Sequence, residues 1–267
     1  MNFLLGLSPF LLVCLGGLLV WLGTSLGSAT VFFMSTPKRK IIDVSLGFAA
    51  GLMLAASFFS LLMPAIEIER AKGNLVWVAP TIGFTLGIVF IKIIDFTVPH
   101  LHALGRKPHK DGGKTSLKGT TLLALAMIIH NIPEGLAVGI AFSSIDSTSL
   151  VGLAGAVSLS IGIAIQDFPE GLAVSFPLLK EGISKWKAFA IGQFSGFVEF
   201  LSAIIGFLAV YYISDILSYA LSFAAGAMIF VVIEELLPAS QNSQHNELAT
   251  LFTLVGFILM MLLDLAL

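Results

Sequence analysis

Charge is scarce in this chain. Asp, Glu, Lys and Arg make up 11% of its 267 residues, against about 25% in soluble domains. With 57% of residues hydrophobic and a mean hydropathy of +0.99, that deficit excludes an ordinary water-soluble fold and defines a polytopic membrane protein. A single cysteine, Cys14, excludes an intrachain disulfide and any thiolate metal cluster. Placed in the first apolar run, it reads as a buried, inert thiol. Three Trp and three Tyr offer interface anchors and nothing sharper, and the 22 Phe are lipid-facing or packing material. The net charge of −2 says little about partners, because location matters more than sum. The bilayer is the expected surrounding, and no nucleic-acid partner is expected.

Apolar runs at about 7–34, 41–64, 75–98, 121–143, 151–179, 188–213, 216–238 and 248–267 each approach or exceed the ~20 residues that span a bilayer. Such runs, lacking alternation, are helices. The expected fold is therefore an all-α integral membrane protein of eight transmembrane helices, a single transmembrane domain over 1–267. The first run lacks a charged n-region and is long enough to span, so it reads as a helix rather than a cleavable signal. Basic residues cluster after runs one, three and five: Lys38, Arg39 and Lys40; Arg106, Lys107, Lys110, Lys114 and Lys118; Lys180, Lys185 and Lys187. The opposite face has Arg70 and Lys72 beside Glu67 and Glu69. The positive-inside rule then puts the basic loops in the cytoplasm and both termini outside. Lys92 snorkels or pairs with Asp95. The loop over 99–120, with His100, His102 and His109 among Gly and Lys, reads as flexible and solvated. Its histidines could collect cytosolic metal.

What stands out against this apolar background is a repeat. PEGLAV occurs at 133–138 and at 169–174, preceded by His130-Asn131-Ile132 and by Gln166-Asp167-Phe168. A carboxylate in a spanning helix costs roughly 2.5–3.5 kcal/mol on insertion scales, and here it is placed twice beside metal-capable neighbours. Residues i and i+4 share a helix face, which pairs His130 with Glu134 and Gln166 with Glu170. Asn131 and Asp167 lie about 100° further round, where they reach a second ion beside the first. Pro133 and Pro169 free the carbonyls of Ile129 and Ile165 toward a polar cavity. Gly135 and Gly171 permit close helix approach. Counting ~1.5 Å per residue, Met53 and Glu199 reach similar depth from other helices. Met53 alone reads as packing, His130 alone as a core histidine and Glu199 alone as a polar bridge. Together with the repeated carboxylates they read as a metal site. Imidazole, carboxylates and amide oxygen suit zinc, iron, manganese or cadmium, whereas the missing thiolates argue against copper(I). Because ligands bind deprotonated, acid should compete with metal.

At HNIPEG and QDFPEG the chain resembles the ZIP family of divalent metal transporters, and most of all its bacterial GufA-like branch, the type seen in the Bordetella member. The resemblance covers nearly the whole chain. It implies a homodimer, a three-two-three helix arrangement with inverted repeats, and a binuclear midplane site. One ion would be held by His130, Glu134, Gln166, Asp167 and Glu170 with Met53 alongside. The other would be held by Asn131, Asp167, Glu170 and Glu199, with Glu134 bridging. Ser60 would line the outer approach and Glu235 the exit. Gln166-Asp167 stands where many members have His-Asn, which leaves the order of preference among the metals open.

The expected function is transport of divalent cations, zinc foremost and also cadmium, iron or manganese, into the cytoplasm across a bacterial inner membrane. No catalytic cofactor and no enzymatic activity are expected. An intramembrane metalloprotease would need HExxH, and here the second His is missing and Asn131 replaces the Glu. The alternative is a proton-coupled carrier of an organic solute that uses the midplane carboxylates as a relay.

Overall fold

In the computed structural model the described residues are 6–34, 39–97, 100–102, 109–111, 119–143, 150–180, 182–241 and 246–266. Among them, eight helical rods match the eight apolar runs. α1 covers Pro9–Ala29 and tightens into a 3₁₀ turn over Thr30–Phe32. Ser8 caps it by accepting from the Leu11 amide at 3.3 Å, with Pro9 in the first turn, where its missing amide hydrogen costs nothing. α2 runs over Arg39–Ala56, widens into a π-helical turn over Ser57–Leu62 and resumes over Met63–Ala71. α3 is Val78–Thr97, α4 Gly119–Ser143, α5 Leu150–Lys180 and α6 Lys185–Tyr212. α7 covers Leu217–Val231, widens over Val232–Leu236 and ends over Leu237–Ser240, and α8 is Asn246–Ala266. Six rods meet the length and composition of a membrane span and Val78–Ile94 is a shorter apolar helix, a count that takes in the described residues only.

α2 departs from the sequence expectation by continuing to Ala71, so that Glu67, Glu69 and Arg70 lie on a helix rather than in an outer loop. Pro64 does not end it, because the widened turn just before it absorbs the hydrogen bond that proline cannot donate. The same device recurs in α7, where the Val232–Leu236 turn precedes Pro238. The continued helix also gains partners. Glu69 is buried and accepts hydrogen bonds from the Ser218 hydroxyl at the start of α7 and from Asn74 Nδ2 at 2.9 Å. At the other end of α2, Arg39 pairs with buried Asp43 at 2.7 Å and donates to the Ala239 carbonyl at the end of α7, 3.2 Å away.

The helices pack in two groups. α4 lies along α6 and α1 along both α5 and α6, while α2 lies along α8 and α3 along α7. If α1–α3 are matched with α6–α8 and α4 with α5, the α4–α6 contact maps onto α5–α1 and the α2–α8 contact onto α7–α3. This is the inverted repeat, written in the packing. Glycines set its distances. Gly135 and Gly139 on α4 face the backbone of Glu199 and Ala203, and Gly171 on α5 faces that of Thr24 and Ser28. Lipid supplies no hydrophobic drive between helices, so backbone-to-backbone approach of this kind carries their association. The core between the groups is filled by Leu46, Met53, Leu61, Leu159, Ile163 and Met228.

Within the segment expected as a loop, β1 (His100–His102) pairs antiparallel with β2 (His109–Asp111) and β1 lies against α4. Arg106, Lys107, Lys114 and Lys118 lie outside the described residues, as do the side chains of His100, His102, His109, Lys110 and Asp95. Lys92 sits over the Phe230 ring, 5.6 Å from its centroid.

The packing predicts a contrast between two glycines. A Cβ at Gly139 meets the Ala203 backbone, whereas one at Gly155 meets nothing within 4 Å. Gly139→Val should lower the thermal stability of the detergent-solubilised protein by about 1–3 kcal/mol. Gly155→Ala should leave it unchanged or higher, as a melting series on purified protein would show.

Candidate metal centre

The centre is assembled by α4 and α5, with α6 and α7 completing it. α4 and α5 run unbroken through Pro133 and Pro169, so the two PEGLAV copies keep helical register and turn their polar residues inward. His130, Asn131, Glu134, Gln166, Asp167, Glu170 and Glu199 are all buried, none more than 5% exposed. Glu134, Asp167 and Glu170 each offer an oxygen within 4.8 Å of the others. That spacing fits a single divalent cation held by oxygens.

Around these three, the amides divide the work. Gln166 Nε2 donates to Glu134 Oε1 at 2.7 Å, and Asn131 Nδ2 approaches Glu199 Oε2 at 3.5 Å. Their donors face carboxylates, so their carbonyl oxygens are left pointing elsewhere. Both oxygens of Asp167, Glu134 Oε2, Glu199 Oε1, Gln166 Oε1 and Asn131 Oδ1 are buried without a hydrogen-bond partner. Every atom in that set is an acceptor. Buried polar groups are normally satisfied, and unpaired buried carboxylates are the most costly exception. A donor water cluster or a cation answers such a set, and no Lys or Arg among the described residues pairs with these four acids. The pocket is thus lined by buried oxygens without partners.

His130 is held differently from what its spacing suggests. Its Nδ1 lies 3.0 Å from Glu235 Oε2, in the widened turn of α7, while it remains in electrostatic range of Glu170. Glu235, expected on an exit path, is therefore in direct contact with a residue of the centre. Met53 is buried on α2 in the apolar core, its carbonyl accepting from Ser57 Oγ at 2.7 Å. Ser60 donates to Asp264 Oδ1 on α8 at 2.7 Å.

Sequence reading missed two partners of residues it named. Thr24, fully buried on α1, faces Asp167. Its only sequence signal is its place between Gly23 and Gly27. Asp264 is the other, and its position near the end of an apolar run carries no motif.

A helical membrane bundle with a buried cluster of acids between its helices defines the class: a polytopic membrane protein with a polar centre. The particular family follows from comparison. The family described as ZIP Zinc transporter matches residues 110–264, and the chain is similar to relatives along almost its whole length. Zinc transporter ZIP11 of Homo sapiens is 36% identical, the match covering 95% of this chain and 96% of the relative. Zinc transporter GufA of Myxococcus xanthus is 34% identical over 94% and 96%. Zinc transporter ZIPB of Bordetella bronchiseptica is 36% identical over 95% and 80%. The chain belongs to the ZIP family. These relatives are named as transporters of zinc, and none of them as an enzyme or a carrier of an organic solute.

The unrelieved crowding of acids makes a stability prediction. Asp167→Asn removes an ionisable acid from the crowded cluster while keeping its shape, so the metal-free protein should gain on the order of 1 kcal/mol. Thermal unfolding in chelator would check it, and a loss of stability would mean that the carboxylate is already satisfied.

Proposed function

We propose that this protein carries divalent metal cations across a membrane through the centre on α4 and α5, with zinc as its principal substrate and cadmium, iron or manganese as further ones. The observation that carries the proposal is the triad Glu134, Asp167 and Glu170, three buried carboxylates converging within 4.8 Å. Membership of a family whose relatives are named as zinc transporters supports the choice of ion. Carboxylate and amide oxygens with one imidazole favour moderate affinity and exchange, unlike the closed Cys/His sites that hold zinc structurally.

The centre is binuclear in this reading. One ion lies among Glu134, Gln166, Asp167 and Glu170, with His130 swinging from Glu235 to join it and Met53 alongside. The second lies among Asn131, Asp167, Glu170 and Glu199, with Glu134 bridging. The pairing of Gln166 with Glu134 and of Asn131 with Glu199 supports two neighbouring subsites. Ions arrive past Ser60 and leave past Glu235 toward the cytoplasm. The basic loops lie on the cytoplasmic side of a bacterial inner membrane with both termini outside, and the working unit is a homodimer.

Flux of zinc and cadmium into proteoliposomes tests the reading. Saturable uptake by the wild type should fall to the background of empty vesicles in Glu134→Ala/Glu170→Ala. Flux that survives the double substitution in folded protein would refute the assigned centre. Binding should weaken as pH falls, because protons and metal compete for the same oxygens. A zinc titration of purified protein at two pH values would read that directly.

A further inference from the structure

Buried hydroxyls in helices usually satisfy themselves on the carbonyl one turn back. In this protein Ser57 donates to Met53 O, Ser160 to Ala156 O, Ser202 to Val198 O and Thr253 to Ala249 O, at 2.7, 2.8, 2.8 and 3.0 Å. Thr24 does not. It is 0% exposed, yet its Oγ1 has no hydrogen-bond partner. Ser158 and Ser222 share that state, but among the described residues Thr24 is the one of the three that faces a carboxylate of the centre.

The packing explains why Thr24 is where it is. Gly23 and Gly27 bring α1 against the backbone of Ala164 and Phe168 on α5, and Gly171 receives the Thr24 carbonyl. The helix is thereby pressed onto the turn of α5 that carries Asp167. From the other side, Gly196 of α6 leaves room for the Thr24 side chain one turn before Glu199. The hydroxyl is wedged between the helices of two acids, with a proton to donate. Facing it is Asp167, whose two oxygens are both without a hydrogen bond. An unused donor thus confronts an unused acceptor across a contact that three glycines hold close.

We propose that Thr24 is a positioning residue of the metal centre: when a cation is held, its hydroxyl donates to the Asp167 carboxylate and fixes which oxygen faces the ion. The inference rests on the metal-transport reading of the same centre. Asp167 is the natural point of control, because it belongs to the carboxylate triad and also faces Glu199. A hydrogen bond to one carboxylate oxygen orients the other, as partners of metal ligands commonly do. In the metal-free protein the hydroxyl faces the carboxylate without an aligned hydrogen bond, so it contributes little there. Its worth appears only with the ion.

That difference gives a test that packing alone cannot imitate. Binding of Zn²⁺ and of Cd²⁺ to the purified full chain is measured by calorimetric titration, and thermal stability in chelator is recorded beside it. Thr24→Val, which keeps the shape and removes the hydroxyl, should weaken binding about 10-fold. The metal-free protein should be as stable or more so, because an unsatisfied buried polar atom has been replaced by an apolar one. Thr24→Ser should bind nearly as the wild type does. In an Asp167→Asn background the Thr24→Val change should add about twofold or less.

Thr24→Val binding as tightly as wild type would overturn the inference. So would equal weakening by Thr24→Ser with lower metal-free stability, which would assign Thr24 to packing. A wild type that binds neither ion would remove the metal reading itself, and this inference with it. If Thr24→Val does not fold, Thr24→Ala against Thr24→Ser with the same two readouts decides between hydroxyl and packing.

Discussion

Close approach of helix backbones is the constraint on which this protein depends. Glu134, Asp167 and Glu170 can converge only because α4 and α5 are each drawn onto a partner helix by glycine, α4 onto α6 at Gly135 and Gly139 and α5 onto α1 at Gly23, Gly27 and Gly171. In water such contacts would be secondary to apolar burial. Within a bilayer, where leaving lipid for protein gains almost no hydrophobic free energy, they do most of the assembling. The glycine of PEGLAV and the glutamate before it therefore serve a single end. One brings the backbones together and the other occupies the space so defined.

The inverted repeat gives this arrangement its economy. The same motif on two helices of opposite direction presents acids toward a common level, so one structural solution is used twice. The two copies are not equal in chemistry. The first supplies an imidazole and an amide, the second an amide and a carboxylate. The imidazole turns toward Glu235 at 3.0 Å, while the additional carboxylate of the second copy stays with the cluster. Symmetry sets the positions and the residue types break it.

Much of this was legible before any coordinates. Eight apolar runs became eight rods, because length and polarity suffice where every backbone group must be satisfied within its own helix. The convergence of the acids was legible because a carboxylate is so costly in lipid that its repetition carries information. What stayed hidden was of three kinds. The extension of α2 to Ala71 depends on a widened turn that rescues the helix at Pro64, and no composition rule announces such a turn. The contact of His130 with Glu235 joins residues 105 apart in the chain (235 − 130) through the orientation of α7. Thr24 is ordinary in sequence, and only the packing of α1 on α5 makes its hydroxyl conspicuous.

α2 and α7 are fastened to each other at both ends, by Arg39 on the Ala239 carbonyl and by Ser218 on Glu69. Two antiparallel rods pinned twice form a strut of set length. Membranes vary in thickness by several ångströms, and a helix answers mismatch by tilting or sliding against its neighbours. Sliding is closed to this pair, since either direction breaks a fastening that satisfies a buried carboxylate or a helix-end carbonyl. In a thinner bilayer the strut must lean as one piece, and in a thicker one the lipid must come to meet it.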